Sequence, residues 1–224
     1  MVAIVVSGGK VALRELEHCI SRYRNKGKIP FIIGVDKGVE ALDILHLQPN
    51  LIMGDFDSVN PEILAKYQEL EQLRYHSEKN ATDTHLAIAY LIEQGFADLL
   101  LFGATGTRWD HSLANLFLAL QYEGIRIRIV DENNLIELYR LMDEKEEKSF
   151  EFQKESDVSG SSYAYLSIVP MEATMIQKTQ GVKYPLKEAL LSPFDSYGVS
   201  NEILGEEAEV YIKTGKGFLI QSKD

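Results

Sequence analysis

Short runs of consecutive apolar residues alternate with stretches that are apolar at every third or fourth position through the first 130 residues. Ala3-Ile4-Val5-Val6, Phe31-Ile32-Ile33-Gly34-Val35, Leu51-Ile52-Met53 and Leu99-Leu100-Leu101-Phe102 are apolar without interruption, which suits strands covered on both faces of a parallel sheet. Between them the spacing predicts helices over 11–26, 37–46, 61–71, 83–95 and 110–123. That alternation is the pattern of an α/β fold with an open, mostly parallel sheet flanked by helices. After Ile125 to Val130, which alternates, the run Asp143-Glu144-Lys145-Glu146-Glu147-Lys148 reads as an exposed loop. Candidate strands follow at 149–153, 163–169, 173–178, 189–193 and 208–213. Val210 to Lys213 and Phe218 to Ile220 flank Thr214-Gly215-Lys216-Gly217 as the arms of a hairpin would. The expected organisation is an α/β domain over 1–130 and an antiparallel, all-β sandwich or barrel over 131–224. There is no internal repeat and no low-complexity linker.

Composition narrows the function. A chain of 224 residues, 45% hydrophobic, can build one large core or two small ones. A formal net charge of -11 leaves little basic surplus to meet a nucleic-acid backbone, so sequence-independent nucleic-acid binding is excluded as a class. No apolar run approaches the ~20 residues of a membrane span. Met1-Val2-Ala3-Ile4-Val5-Val6 lacks the basic start of a secretory signal, and a cytoplasmic protein without a membrane partner is expected. Cys19, the single cysteine, falls in an apolar helical pattern and reads as a reduced core thiol. The histidines at 18, 46, 76 and 85 have no metal-ligand spacing. An acidic protein that accepts a polyanion therefore needs a metal or local cations.

The densest chemistry lies in Leu51-Ile52-Met53-Gly54-Asp55-Phe56-Asp57-Ser58, where an apolar strand runs into two carboxylates one residue apart. A strand fixes position, a glycine permits close approach, and two acids offer hard oxygen ligands to Mg²⁺ bridging a polyphosphate. Asp36 follows another strand, Asp83 heads a helix within Asn80-Ala81-Thr82-Asp83-Thr84, and Asp110 opens the helix after Leu99 to Phe102. Each has an ordinary reading as a turn residue or helix cap. In a parallel sheet, however, all strand C-termini share one edge, and carboxylates gathered there repel one another unless a cation lies among them. Gly103-Ala104-Thr105-Gly106-Thr107-Arg108 adds a glycine turn able to aim N–H groups at a phosphate, with Arg108 beside it. Ser7-Gly8-Gly9 after the first strand is a poor nicotinamide fingerprint.

Val35-Asp36-Lys37-Gly38, Pro49-Asn50-Leu51-Ile52-Met53-Gly54-Asp55-Phe56-Asp57-Ser58, Lys79-Asn80-Ala81-Thr82-Asp83-Thr84 and Gly103-Ala104-Thr105-Gly106-Thr107-Arg108-Trp109-Asp110-His111 with Asn115 resemble, in order and spacing, the motifs of the thiamine pyrophosphokinase family. Gly181-Val182-Lys183-Tyr184-Pro185-Leu186 and Gly198-Val199-Ser200-Asn201-Glu202 extend the resemblance. It implies an N-terminal α/β domain that binds ATP and Mg²⁺, a C-terminal β-sandwich that binds thiamine and dimerises, and a homodimer with shared sites. It implies transfer of the terminal diphosphate of ATP to the thiamine hydroxyl, giving AMP. Asp55 and Asp57 would be Mg²⁺ ligands, and Asp83 a third ligand or the group that orients or deprotonates the hydroxyl. Asp36, Lys79, Thr82, Gly103, Gly106, Arg108, Asp110, His111 and Asn115 would form the ATP site, and Tyr184, Ser200 and Asn201 the thiamine site. Two alternatives are a phosphatase with Asp55 as nucleophile, opposed by Ser58-Val59 where Gly-Thr would follow, and a silent sensor of thiamine or a nucleotide.

Overall fold

The computed structural model describes residues 1–75, 80–141 and 148–224. They divide into two compact units, Met1–Glu132 and Asn133–Asp224. In the first unit the strands are β1 (Val2–Val6), β2 (Phe31–Val35), β3 (Leu51–Gly54), β4 (Gln72–Arg74), β5 (Asp98–Phe102) and β6 (Arg126–Val130). The helices are α1 (Leu13–Asn25), α2 (Gly38–Ile44), α3 (Pro61–Ala65), α4 (Asp83–Glu93) and α5 (Trp109–Ala119).

The strand order is β6-β5-β1-β2-β3-β4, and each neighbouring pair is parallel. The chain steps outward from β1 to β4 and then returns to the far side of β1 as β5. Strand order thus reverses between β1 and β5, and their carboxyl ends open a crevice, the usual place for a ligand in such sheets. The uninterrupted apolar runs are buried throughout β1, β3 and the centre of β5, as their two-sided burial requires. Cys19 is likewise buried in α1.

One local expectation differs. The helix expected to reach residue 71 stops at Ala65, and Gln72–Arg74 pairs with β3 as a short edge strand. Asn60 caps this helix by accepting the Glu62 N–H at 2.9 Å and Pro61 starts it, but a three-residue strand is too brief to leave a period in the sequence. Trp109 begins α5 and stays 77% exposed, so it is a helix-start residue and not part of the core.

The second unit holds β7 (Asn134–Leu141), β8 (Lys148–Gln153), β9 (Tyr165–Pro170), β10 (Thr174–Gln180), β11 (Lys187–Leu191), β12 (Asn201–Glu202) and β13 (Glu207–Ser222). The expected hairpin at 214–217 is absent, because β13 runs through it for 16 residues. Its first half pairs with β8 and β10, and its second half with β7 and β9, so one strand belongs to both sheets. Gly215 and Gly217 are small for packing within the strand, and Gly215 in addition holds a backbone at φ 121°. A Cβ on Gly215 would collide with Thr174, and one on Gly217 with the Val169 carbonyl and the Tyr139 hydroxyl. Between the sheets lies a core of Tyr139, Phe150, Phe152, Ile168, Ile176, Val210 and Leu219, among others. The acidic run at 143–148 lies, except for Lys148, outside the described residues.

Candidate active site

The acids after β2 and β3 are built as one unit. Asp36 adopts a left-handed backbone (φ 46°), its N–H donates to the Met53 carbonyl at 3.0 Å, and its Oδ1 accepts the Phe56 N–H at 3.4 Å. Gly54 has φ 144°, and a Cβ there would fall on the Asp36 carboxylate. Phe56, also left-handed at φ 59°, turns inward against Val39, Ile52, Val59 and Tyr67. This buried ring anchors the loop, so that Asp55 and Asp57 flank it outside the core. The Asp57 N–H donates to Asp55 Oδ1 at 3.2 Å, and Asp57 is exposed. Asp83 comes from the other direction, as the first residue of α4, whose start is capped by Thr82 accepting the His85 N–H at 3.2 Å.

Burial, the Asp83 charge and, more weakly, Asp55 push the Asp36 carboxyl up to about 6, against the Phe56 N–H bond that lowers it. Acids from three loops therefore feel one another. They do not form a finished cage: among the described residues no group of three or more His, Cys, Asp or Glu side chains is arranged to hold a metal ion.

Across the crevice, the loops after β1 and β5 are zipped together. Ser7, Gly9 and Lys10 donate their N–H groups to Phe102, Gly103 and Thr105 carbonyls at 2.8, 3.0 and 3.0 Å. A Cβ on Gly9 would strike the Gly103 and Thr105 carbonyls, and one on Gly103 the Ser7 carbonyl. The Gly106 N–H donates to Ser112 Oγ at 3.1 Å, which in turn donates to the Arg108 carbonyl. Buried Asn115 donates to the Ala104 carbonyl at 2.7 Å. The glycine turn is thus held from beneath, and the Gly106 N–H is committed within the protein and not aimed outward.

These pieces surround a cavity of about 780 Å³ whose described lining residues all belong to the first unit. Asp36, Asp55, Thr82, Asp83, Gly103, Gly106, Arg108, His111 and Asn115 all line it. Asp57 and Asp110 do not. Asp110 is tied to Arg108 by two bonds, of 3.2 and 2.5 Å, and this pairing holds its carboxyl down to about 2. Lys79 lies outside the described residues. Ser7 to Lys10 and Lys37, to which the sequence assigned no site role, also line the cavity. The available signal was positional, since small residues at the end of the first strand of such a sheet border its crevice.

Tyr184, Ser200 and Asn201 are gathered in the second unit. Asn201 grips the backbone of Tyr184 at both ends, accepting its N–H at 2.9 Å and donating to its carbonyl at 2.7 Å. The Tyr184 ring is 65% exposed, and Lys183 Nζ stands 5.8 Å from its centre. Lys183 is itself paired with Glu202 at 2.7 Å. Ser200 is left-handed (φ 58°) and its N–H donates to Ser167 Oγ at 2.9 Å.

The chain was compared with known proteins. Residues 25–130 match the family model described as thiamin pyrophosphokinase, catalytic domain, and residues 149–219 match thiamin pyrophosphokinase, vitamin B1 binding domain. A thiamine pyrophosphokinase of Bacillus subtilis is 29% identical over 199 residues, covering 86% of this chain and 87% of the relative. The crystal structure of thiamin pyrophosphokinase from Geobacillus thermodenitrificans superposes with a TM-score of 0.79 at 28% identity, covering 100% of this chain and 98% of that one. The Bacillus subtilis crystal structure gives 0.80 at 24% identity with 100% of both chains covered, a likeness of fold.

Proposed function

We infer that this chain, which belongs to the thiamine pyrophosphokinase family, is a thiamine diphosphokinase that moves the terminal diphosphate of ATP onto the hydroxyl of thiamine. The observation that carries the reading is the gathering of Asp36, Asp55 and Asp83 around a glycine-walled cavity at the β1–β5 crevice of the unit matched by the catalytic-domain model. On this reading the first unit takes ATP and the second supplies thiamine contacts.

The donor set fits Mg²⁺. That ion keeps several waters and is held by one or two carboxylates plus substrate phosphates, so a complete protein cage is not needed. Asp55 and Asp57 are the proposed ligands, with Asp83 as a third. Burial is the main reason the Asp36 carboxyl is raised, and the Asp83 and Asp55 charges that add to it support a cation at this edge. When bound, Mg²⁺ neutralises charge on the phosphates as it builds toward the transition state.

The chain's own work is positioning. The thiamine hydroxyl oxygen bonds to the β-phosphorus, and the bond from that phosphorus to the α–β bridging oxygen breaks. AMP leaves with that oxygen, and the hydroxyl proton passes to a carboxylate at the site, for which Asp83 is the proposed acceptor. In-line transfer demands a fixed triphosphate. Arg108, Thr82, His111 and Asn115, with Asp36, Asp110 and Lys79, are the residues proposed to define that position, Asn115 through the loop it braces. Tyr184 offers an exposed aromatic face to a cationic heterocycle, Asn201 sets its backbone, and Ser200 completes the proposed thiamine contacts.

A homodimer with shared sites is part of the proposal. It is supported by exposed Leu190, Phe194, Tyr197 and Val199, apolar surface of a kind that self-association covers. A cytoplasmic location is supported by Cys19, the single cysteine of the sequence, which is buried in α1 and has no second cysteine with which to form an intramolecular disulfide. Among the described residues no helix is long and apolar enough to cross a membrane.

The test is to incubate the protein with ATP, Mg²⁺ and thiamine and to separate the nucleotides. AMP and thiamine diphosphate in equal amounts, only when thiamine is present, are expected. ADP with thiamine monophosphate, or no thiamine-dependent change, would refute diphosphate transfer.

A further inference from the structure

Among its described residues the cavity carries three lysine or arginine side chains, Lys10, Lys37 and Arg108. Two are already neutralised. Lys10 Nζ is 2.6 Å from Glu132, and the Arg108 guanidinium is bound by Asp110. The Lys37 side chain has no hydrogen-bond or ion-pair partner among the described residues.

Part of the backbone at the cavity is spent as well. The N–H groups of Ser7, Gly9, Lys10 and Gly106 are all committed within the protein. A triphosphate entering a site that already holds Asp36, Asp55 and Asp83 therefore needs positive charge that is not yet spent. Lys37 is placed for this. It directly follows Asp36, and its stem is fixed on two sides. A Cβ on Gly8 would stand 3.2 Å from the Lys37 Cβ, and one on Gly38 would collide with the Val6 carbonyl. Glycines thus let the β1 loop and the start of α2 close around the root of Lys37, while its side chain stays exposed.

We propose that Lys37 is a substrate-binding residue that contacts the triphosphate of ATP and supplies the one uncommitted cation among the described residues of the cavity. This rests on the diphosphokinase reading, and it gives a role to a lysine that lies within the Val35-Asp36-Lys37-Gly38 motif but outside the residues assigned to the ATP site. An ammonium is a compact donor that follows the phosphates as they separate, whereas the Arg108 guanidinium must first exchange Asp110.

The test compares wild type with K37M, K37R and K66M. Lys66 pairs with Asp43 away from the cavity, and K66M controls for loss of one positive charge. Binding of inorganic tripolyphosphate with Mg²⁺ is measured by calorimetry, and thiamine-dependent AMP formation gives KM for both substrates. K37M should weaken tripolyphosphate binding and raise the KM for ATP by about tenfold, with the KM for thiamine within about twofold. K37R should recover most of the loss, and K66M should match wild type. Because Lys37 is exposed, the urea midpoint of K37M should not move. Tripolyphosphate binding by K37M within about twofold of wild type, or an equal loss in K66M, would overturn the proposal. If wild type makes no thiamine-dependent AMP, the diphosphokinase reading fails, and the tripolyphosphate comparison still decides the role of Lys37.

Discussion

Replacing Gly54 by alanine tests how the acidic edge is held. The added methyl meets two obstacles: a backbone at φ 144°, and the Asp36 carboxylate standing where the Cβ must go. Forcing a non-glycine residue into that region costs about 1–3 kcal/mol. Displacing Asp36 also breaks its bond from the Phe56 N–H, worth about 0.5–1 kcal/mol at its length of 3.4 Å. Relief of the Asp36–Asp83 repulsion offsets part of this. The net expectation is a loss of about 2–3 kcal/mol in the first unit, or about 5–10 °C in Tm. Since the described helices all lie in that unit, far-ultraviolet circular dichroism in a urea titration reads it selectively. AMP formation should fall about a hundredfold or more, because Asp36 and Asp55 both move. The double variant G54A/D36A isolates the cause. With the carboxylate gone the nearest remaining Asp36 atom is its backbone nitrogen at 3.4 Å, an ordinary contact. The two substitutions should therefore couple favourably by about 1–2 kcal/mol. Additive losses, or a G54A protein that keeps both stability and turnover, would refute the account of how Gly54 seats Asp36.

The Asp36 carboxyl is raised to about 6 from 3.8, so the stability it permits is complete below the unfolded value and is lost as pH rises through about 6. Metal-free wild type should lose about 1–2 kcal/mol relative to D36N between about pH 4 and 7, after discounting for the solvent that still reaches the group, and parallel urea midpoints for both proteins would disprove this. D57N should leave the urea midpoint unchanged, since Asp57 is exposed, yet cut AMP formation by about a hundredfold; full turnover at raised Mg²⁺ would remove Asp57 from the metal site. N201A should raise the KM for thiamine about tenfold through loss of its two bonds to Tyr184, leaving the KM for ATP unchanged, and an equal rise for both would point to a general structural role.

The parallel sheet was legible because two-sided burial writes itself as unbroken apolar runs such as Leu99 to Phe102. The approach of Asp36, Asp55 and Asp83 was legible too, since parallel strands bring their carboxyl ends to one edge. What the sequence hid were relations between residues far apart. Gly54 reads as room for a close approach, but only the fold shows that Asp36 is what approaches, and Arg108 looks like a free cation until Asp110 is seen holding it. Lys10 and Lys37 sit in short loops without periodicity. Gly215 and Gly217 carry the usual spelling of a turn, but Thr174, Tyr139 and Val169 crowd the space their side chains would need, and the strand runs straight on.

That continuous strand has a consequence for biogenesis. β13 comes after every strand with which it pairs, β7 to β10, and it is the shared member of both sheets. During synthesis those earlier strands must wait with open edges until Glu207–Ser222 emerges, a late closure that exposes them to pairing with other chains. A ribosome pause before residue 207 should lengthen the wait and increase aggregation of nascent chains, while β1 to β6, which pair in parallel with one another, have all emerged by then.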